Sequence, residues 1–320
     1  MCLVALAIDQ DRRFPLVIAS NRDEFFKRPA ARLAWWTPQH GEPAILAGRD
    51  LEGGGTWMGV TGQGRLALIT NRRDPSRIDP DAPSRGQIVP NWLAARESVD
   101  RFWMRTALSG YNGFNLIAAD FRLGECFWAS NFEAHPKRLE RGLYGLSNAA
   151  LDTPWPKVQA LKAALGASIT SAGTADELAT QLFAALADRS IADDSTLPKT
   201  GIPLDLERQL SSAFIRTPDR AYGTRCSTLI ITERAQRHLV THVFERTFSP
   251  AGGLALLRRA SLRHWPPRYT SLTSPTDAEL GVVSESEMPD GSVAMAPLRR
   301  TRVRSLLKPA APRRVRVTPE

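Results

Sequence analysis

Short apolar runs separated by polar turns start at the second residue of the chain and recur on both sides of a helical middle. Residues 3–8 and 15–20 are two such runs, joined by the charged stretch at 9–13, and they predict a hairpin. Residues 57–60 and 65–70, around a glycine turn at 62–64, predict a second hairpin. Residues 115–120 and 125–129 pair around Leu123-Gly124, residues 143–147 form a single strand, and 226–232 with 238–244 make a closing hairpin. Helical patterns fall at 84–96, at 98–108 with Ser98 as N-cap, at 154–164 with proline in the first turn, and at 175–188. Residues 25–39, rich in Arg, Pro and Trp, read as a loop. This order lacks the alternating βαβ rhythm of a parallel sheet. It predicts antiparallel sheets covered by helices, an α+β chain.

Charge invites a different reading. The 320 residues carry 42 Lys or Arg against 33 Asp or Glu, a net +9 that taken whole suggests an anionic partner. The excess is unevenly placed: residues 251–320 hold 12 basic and 6 acidic residues and 8 of the 23 prolines. The expected organisation is therefore a nearly balanced domain over 1–250 and a basic, Pro-rich, largely disordered tail over 251–320. No aromatic follows Tyr269, so base stacking has no platform there and nucleic acid is not the expected partner. No apolar run approaches the roughly 20 residues of a membrane span, so no transmembrane segment is expected. Six apolar residues after Met1-Cys2 fall short of a signal-peptide core. Three cysteines make no disulfide framework, and a cytoplasmic location is expected.

Chemistry-bearing residues cluster at strand ends. Removal of Met1 before a small residue would leave Cys2 at the N-terminus, where one residue carries a nucleophile and, in its α-amine, a base with an ordinary pKa of about 7.7–8.0. The plain alternative is a small apolar residue opening a strand. Asn21-Arg22-Asp23-Glu24 follows the second run and offers carboxylates to an N-terminal ammonium, or else forms a solvated turn. Asn71 and Asn148 each follow an apolar run, where an amide can donate to an oxyanion or simply favour a turn. Arg225, in Tyr222-Gly223-Thr224-Arg225-Cys226, could stabilise a thiolate. Cys126, Cys226 and the scattered histidines have no metal-ligand spacing, so no metal site is expected. Gly53-Gly54-Gly55 lacks the residues of a phosphate loop and reads as a turn before Trp57.

Together these motifs resemble the transport and Golgi organisation 2 family, also called the NRDE family. The resemblance rests on Met1-Cys2, Asn21-Arg22-Asp23-Glu24, Gly48-Arg49-Asp50, Gly53-Gly54-Gly55-Thr56-Trp57, Thr70-Asn71, Ser84-Arg85-Gly86, Gly145-Leu146-Ser147-Asn148, Pro154-Trp155-Pro156-Lys157 and Tyr222-Gly223-Thr224-Arg225, over about residues 1–248. It implies a four-layer αββα sandwich of two antiparallel sheets, the N-terminal-nucleophile hydrolase fold. Similarity to the choloylglycine hydrolase and penicillin V acylase branch implies an amidohydrolase acting on a linear C–N amide, with no required cofactor. Cys2 then falls on the nucleophile, Asp23 on the carboxylate holding the α-amine, Asn71 and Asn148 on the oxyanion side, and Arg225 on the thiolate side. Asn21, Arg22, Glu24, Arg49, Asp50, Trp57 and Arg85 fall on supporting or binding positions. That branch has an Arg three residues before the Asp, where this chain has Ser20. Arg22 is the nearest guanidinium, expected to face away unless the strand bulges. The resemblance also implies a non-catalytic alternative, a haem or acyl-CoA/lipid binding and trafficking protein.

Overall fold

In the computed structural model, which describes residues 2–250, 255–267 and 284–288, the first two apolar runs form β1 (Cys2–Ile8) and β2 (Leu16–Phe25). Then follow β3 (Ala30–Trp36), β4 (Ile45–Asp50), β5 (Met58–Thr61) and β6 (Arg65–Asn71). The helical middle is α1 (Ile88–Ala94) and α2 (Val99–Ala107). Next come β7 (Phe114–Asp120), β8 (Glu125–Ser130), β9 (Lys137–Arg138) and β10 (Gly142–Leu146), then α3 (Pro156–Ser171), α4 (Ala175–Leu186) and α5 (Leu204–Gln209). The described chain closes with β11 (Tyr222–Ala235), β12 (His238–Thr247), β13 (Ala255–Arg263) and β14 (Ser284–Met288).

All pairings are antiparallel. One sheet runs β10-β1-β2-β11-β12-β13-β14; the other is a meander, β3 to β9 in chain order. Alternation along each strand decides the layers. Val4, Leu6, Ile18, Ile230 and Val243 face the second sheet and pack into one core with Met58, Leu66 and Leu68. Their neighbours Leu3, Ala5, Val17, Ala19, Leu229 and Ile231 face the opposite way and pack on α3 and α4 through Leu161, Leu165, Leu178 and Leu182. Trp92 and Leu93 of α1 cover the outer face of the second sheet. There the Arg65 guanidinium lies 4.4 Å from the Trp92 ring, donates to the Trp92 carbonyl at 2.9 Å and pairs with buried Asp120 at 3.0 Å. The chain is thus an α+β protein of four layers, αββα.

Three expectations are corrected. Residues 25–39 are not all loop, because β3 lies within them. It is an edge strand with one neighbour, so its Arg and Trp content is tolerated. Its register shifts between Ala31 and Ala34, and side chains from the other sheet serve the displaced backbone. The Leu33 N–H donates to Glu245 Oε1 at 2.7 Å, and the Leu33 carbonyl accepts from Arg258 Nη1 at 2.9 Å. Second, Asn21 to Glu24 do not follow β2 but lie inside it. β11 pairs along its other edge, so the motif is sheet interior and not a solvated turn. Third, the ordered domain does not end at 250. β13 pairs with β12 over eight positions from Val240–Arg263 to Thr247–Leu256 and buries Leu257, Ala260 and Leu262. Trp265 beyond it is fully buried, donates from Nε1 to the Thr61 carbonyl at 2.8 Å and meets Phe121 edge-on. Arg258, Arg259 and Arg263 interrupt the apolar alternation of β13 and disguise it in the sequence. The expected disorder at 251–254, 268–283 and 289–320 lies outside the described residues.

Candidate active site

Cys2 opens β1, an interior strand of its sheet, and β2 brings Arg22 directly opposite it. Facing residues of paired strands share a side of the sheet, so Cys2 and Arg22 both look toward the second sheet. No bulge in β2 is needed. Ser20 and Arg22 are two residues apart and share that face by the period of the strand, which corrects the expectation that Arg22 points away. Arg22 is 5% exposed, lies 4.3 Å over the Trp57 ring and reaches Asp50 at 3.2 Å and Glu24 at 3.8 Å.

Asp50 organises the far wall. It accepts from the Glu52 and Gly53 N–H groups at 3.1 and 3.0 Å and pairs with Arg28 at 2.8 Å. Burial pushes its carboxyl up, but the Gly53 N–H, Arg28 and Arg22 outweigh it and hold the group below the ordinary range. The glycine run is a packing device. A Cβ on Gly55 would stand 1.9 Å from the Gly86 carbonyl oxygen, and the Thr56 N–H donates to that carbonyl at 3.0 Å. The Gly53–Gly55 and Ser84–Gly86 motifs are therefore two backbones in contact. Gly48 serves Trp57 in the same way, since a Cβ there would be 2.5 Å from the indole ring.

These elements enclose a cleft of about 560 Å³ lined by Cys2, Arg22, Asp23, Glu24, Asp50, Trp57, Asn71 and Arg85 among others. Asn148 is placed differently. Its Nδ2 donates to the Asn71 carbonyl at 2.8 Å, and it lines an adjoining pocket with Asn71 and Arg85 rather than the cleft itself. It positions Asn71. Ser147 ties the same strand end to the start of β1, its Oγ donating to the Cys2 carbonyl at 3.0 Å. Arg85 anchors the wall by donating to the Gly113 carbonyl at 2.8 Å.

Asp23 is 1% exposed and lies on the α3/α4 side of β2. Its Oδ1 accepts from Thr224 Oγ1 at 2.7 Å. Burial raises its carboxyl pKa, opposed by the N-terminal ammonium, then Lys157, the Thr224 bond and Arg22. Burial likewise raises the Cys2 thiol, and the N-terminal ammonium is the strongest opposing charge there too. Lys157, quoted in the sequence motif without a role, is buried on α3 and donates from Nζ to the Leu210 carbonyl at 2.8 Å. Burial lowers its pKa to about 8 against the pull of Asp23. Tyr222 is the other group the sequence did not single out. Its phenol is raised well above the ordinary value by burial, and by the negative charges of Asp23, Glu24 and Cys2.

Arg225, expected on the thiolate side, does not line the Cys2 cleft. It sits at a bulge in β11 between Thr224 and Cys226. Its Nη1 donates to the carbonyls of Phe25, Phe26 and Arg28 at 2.8, 3.3 and 2.8 Å. The guanidinium directly across the strand pair from Cys2 is that of Arg22. Asn21 is also structural: its Nδ2 donates to the Leu186 and Ala213 carbonyls at 2.8 Å each, and its Oδ1 accepts from Ser227. Arg49 stacks 4.7 Å over Trp36, away from the cleft. Among the described residues no group of three His, Cys, Asp or Glu could hold a metal ion, and no helix is long and apolar enough to cross a membrane.

A family model described as transport and Golgi organisation 2 matches residues 1–250. The chain belongs to that family. The transport and Golgi organization protein 2 homolog of Bos taurus is 33% identical over 255 residues, covering 73% of this chain and 89% of its own. The Homo sapiens homolog is 31% identical over 293 residues, 85% of this chain and 99% of its own. The Drosophila melanogaster protein is 25% identical over 273 residues, 78% and 93%. Among solved structures, the Caenorhabditis elegans N-acylethanolamine-hydrolyzing acid amidase ortholog aligns at a TM-score of 0.39 and 11% identity, over 72% of this chain and 92% of that one.

Proposed function

We propose that this family member is an N-terminal-cysteine amidohydrolase that cleaves a linear acyl amide and needs no cofactor. The observation that carries the reading is the placement of Cys2: it opens an interior strand, lines a polar cleft, and has Arg22 directly opposite on the same face. Removal of Met1 would put the free α-amine on Cys2 itself, beside Asp23. The amine takes the thiol proton as Sγ attacks the amide carbonyl carbon. The Asn71 side chain donates to the oxyanion, and Arg22 stabilises the thiolate. Collapse of the intermediate breaks the C–N bond, and the proton passes to the departing amine. Water then hydrolyses the thioester to a carboxylic acid and restores the thiol. Asp23 accepts a hydrogen bond from the α-amino group and holds it in position, both as the neutral amine before attack and as the ammonium after it takes the thiol proton. Arg22 in this scheme takes the place that the related hydrolases give to the Arg at the Ser20 position.

The test is turnover of a panel of linear N-acyl amides by protein whose intact mass shows Met1 removed. Cys2→Ala should lower the rate about a thousandfold or more while the circular dichroism spectrum is unchanged. Equal turnover by Cys2→Ala, or full activity in protein that keeps Met1, would overturn the reading.

A further inference from the structure

Behind Arg22, on the side away from Cys2, lies a second cavity of about 220 Å³ between the two sheets. Arg22 and Trp57 belong to the walls of both spaces. Arg225, Phe248 and Leu256 line the second alone, and Cys2 does not reach it.

Charge in this cavity is incompletely neutralised. Arg22 is 5% exposed, and its Nη1 has no hydrogen-bond partner, although Nη2 reaches Asp50. A buried guanidinium N–H without an acceptor costs about 1–3 kcal/mol, so a ligand oxygen that reached Nη1 would be stabilised. Arg225 holds its place through carbonyls, and no carboxylate among the described residues pairs with it. Three arginines, Arg22, Arg32 and Arg225, thus border one small space with an aromatic and aliphatic wall. The carboxylate in the lining, Glu245, is engaged by the Leu33 N–H through Oε1, and burial raises its pKa to about 7. Burial thus works against its negative charge in the cavity.

We propose that this cavity binds a small amphipathic carboxylate, its head group on Arg22 and Arg225 and its chain against Trp57, Phe248 and Leu256. Arginine suits a carboxylate because its planar fork presents parallel N–H donors. The site adjoins the Cys2 cleft and shares Arg22 and Trp57 with it, but it does not depend on Cys2 being a nucleophile.

Titration calorimetry with octanoate tests the assignment, on the full-length chain. Wild type should bind octanoate and bind 1-octanol at least tenfold more weakly. Arg225→Gln, which removes the charge, and Thr247→Trp, which fills the cavity from its partly buried rim, should each weaken octanoate at least tenfold. Should Arg225→Gln fail to fold for want of its carbonyl contacts, Thr247→Trp carries the comparison. Arg85→Gln, in the Cys2 cleft, should leave octanoate affinity within twofold. No octanoate binding by wild type up to 10 mM (roughly the weak limit of calorimetry), equal affinity for octanol, or loss in Arg85→Gln with retention in Thr247→Trp would each overturn it.

Discussion

Glu245 is a buried carboxyl with a measurable cost, and Glu245→Gln should make the protein more stable at pH 8. The side chain is 2% exposed between the sheets and is kept there by the displaced β3 backbone, whose Leu33 N–H it accepts at 2.7 Å. Burial raises its pKa from 4.5 to about 7, against the Leu33 hydrogen bond and the guanidiniums of Arg258, Arg22 and Arg32. An acid whose folded pKa is raised is favoured in its neutral form by folding. Its contribution is fully present below pH 4.5 and is lost as pH rises through 7. With each unit worth about 1.4 kcal/mol, wild type should lose about 2–3 kcal/mol from this group between pH 5 and pH 8. Glutamine does not titrate, and its Oε1 can still accept from Leu33. Urea denaturation of both proteins at pH 5 and pH 8 isolates the effect, because every other titrating group cancels in the comparison. The variant should gain about 2–3 kcal/mol on wild type at pH 8 relative to pH 5. A difference that is the same at both pH values, or that favours wild type more at pH 8, would refute the argument.

Trp265→Ala should destabilise the domain by about 3–5 kcal/mol in urea, because a fully buried indole and its bond to Thr61 are lost; a loss under 1 kcal/mol would show that the chain after 250 is not part of the core. Asp120→Asn should cost about 3–5 kcal/mol by leaving buried Arg65 uncompensated, checked by the same denaturation, and Arg65→Met/Asp120→Leu together should recover much of it. Adding haem in micromolar steps should give no shifted Soret band if the chain is an amidohydrolase without a cofactor; a saturable shift would favour the haem-carrying alternative.

Local pattern made much of this molecule readable. The hairpins at β1–β2, β5–β6, β7–β8 and β11–β12 were legible because apolar runs of strand length are bounded by turn residues. The αββα layering followed from the family motifs and agrees with the alternating burial of β1 and β2. Elements with mixed composition were not legible. β3 is an edge strand, β13 carries arginines, and α5 is a six-residue helix with charged residues on three of its six positions. Their conformation comes from pairing and packing rather than from their own periodicity.

The candidate site divides in the same way. Residue type and order along the chain were enough to mark Cys2, Asp23 and Asn71 as candidates, each with a plain structural alternative, and the resemblance to the family assigned their expected roles. Register decided the rest. Which guanidinium faces Cys2 depends on how β2 pairs with β1, and that pairing selects Arg22. A bulge in β11 sends Arg225 to carbonyls and a second cavity instead. The approach of Lys157 and Tyr222 to Asp23 depends on α3 and β11 meeting β2 across more than a hundred residues of chain. One strand's sequence carries its own alternation but not its partner's register. Side chains joined only by that register therefore become a site in the folded sheet.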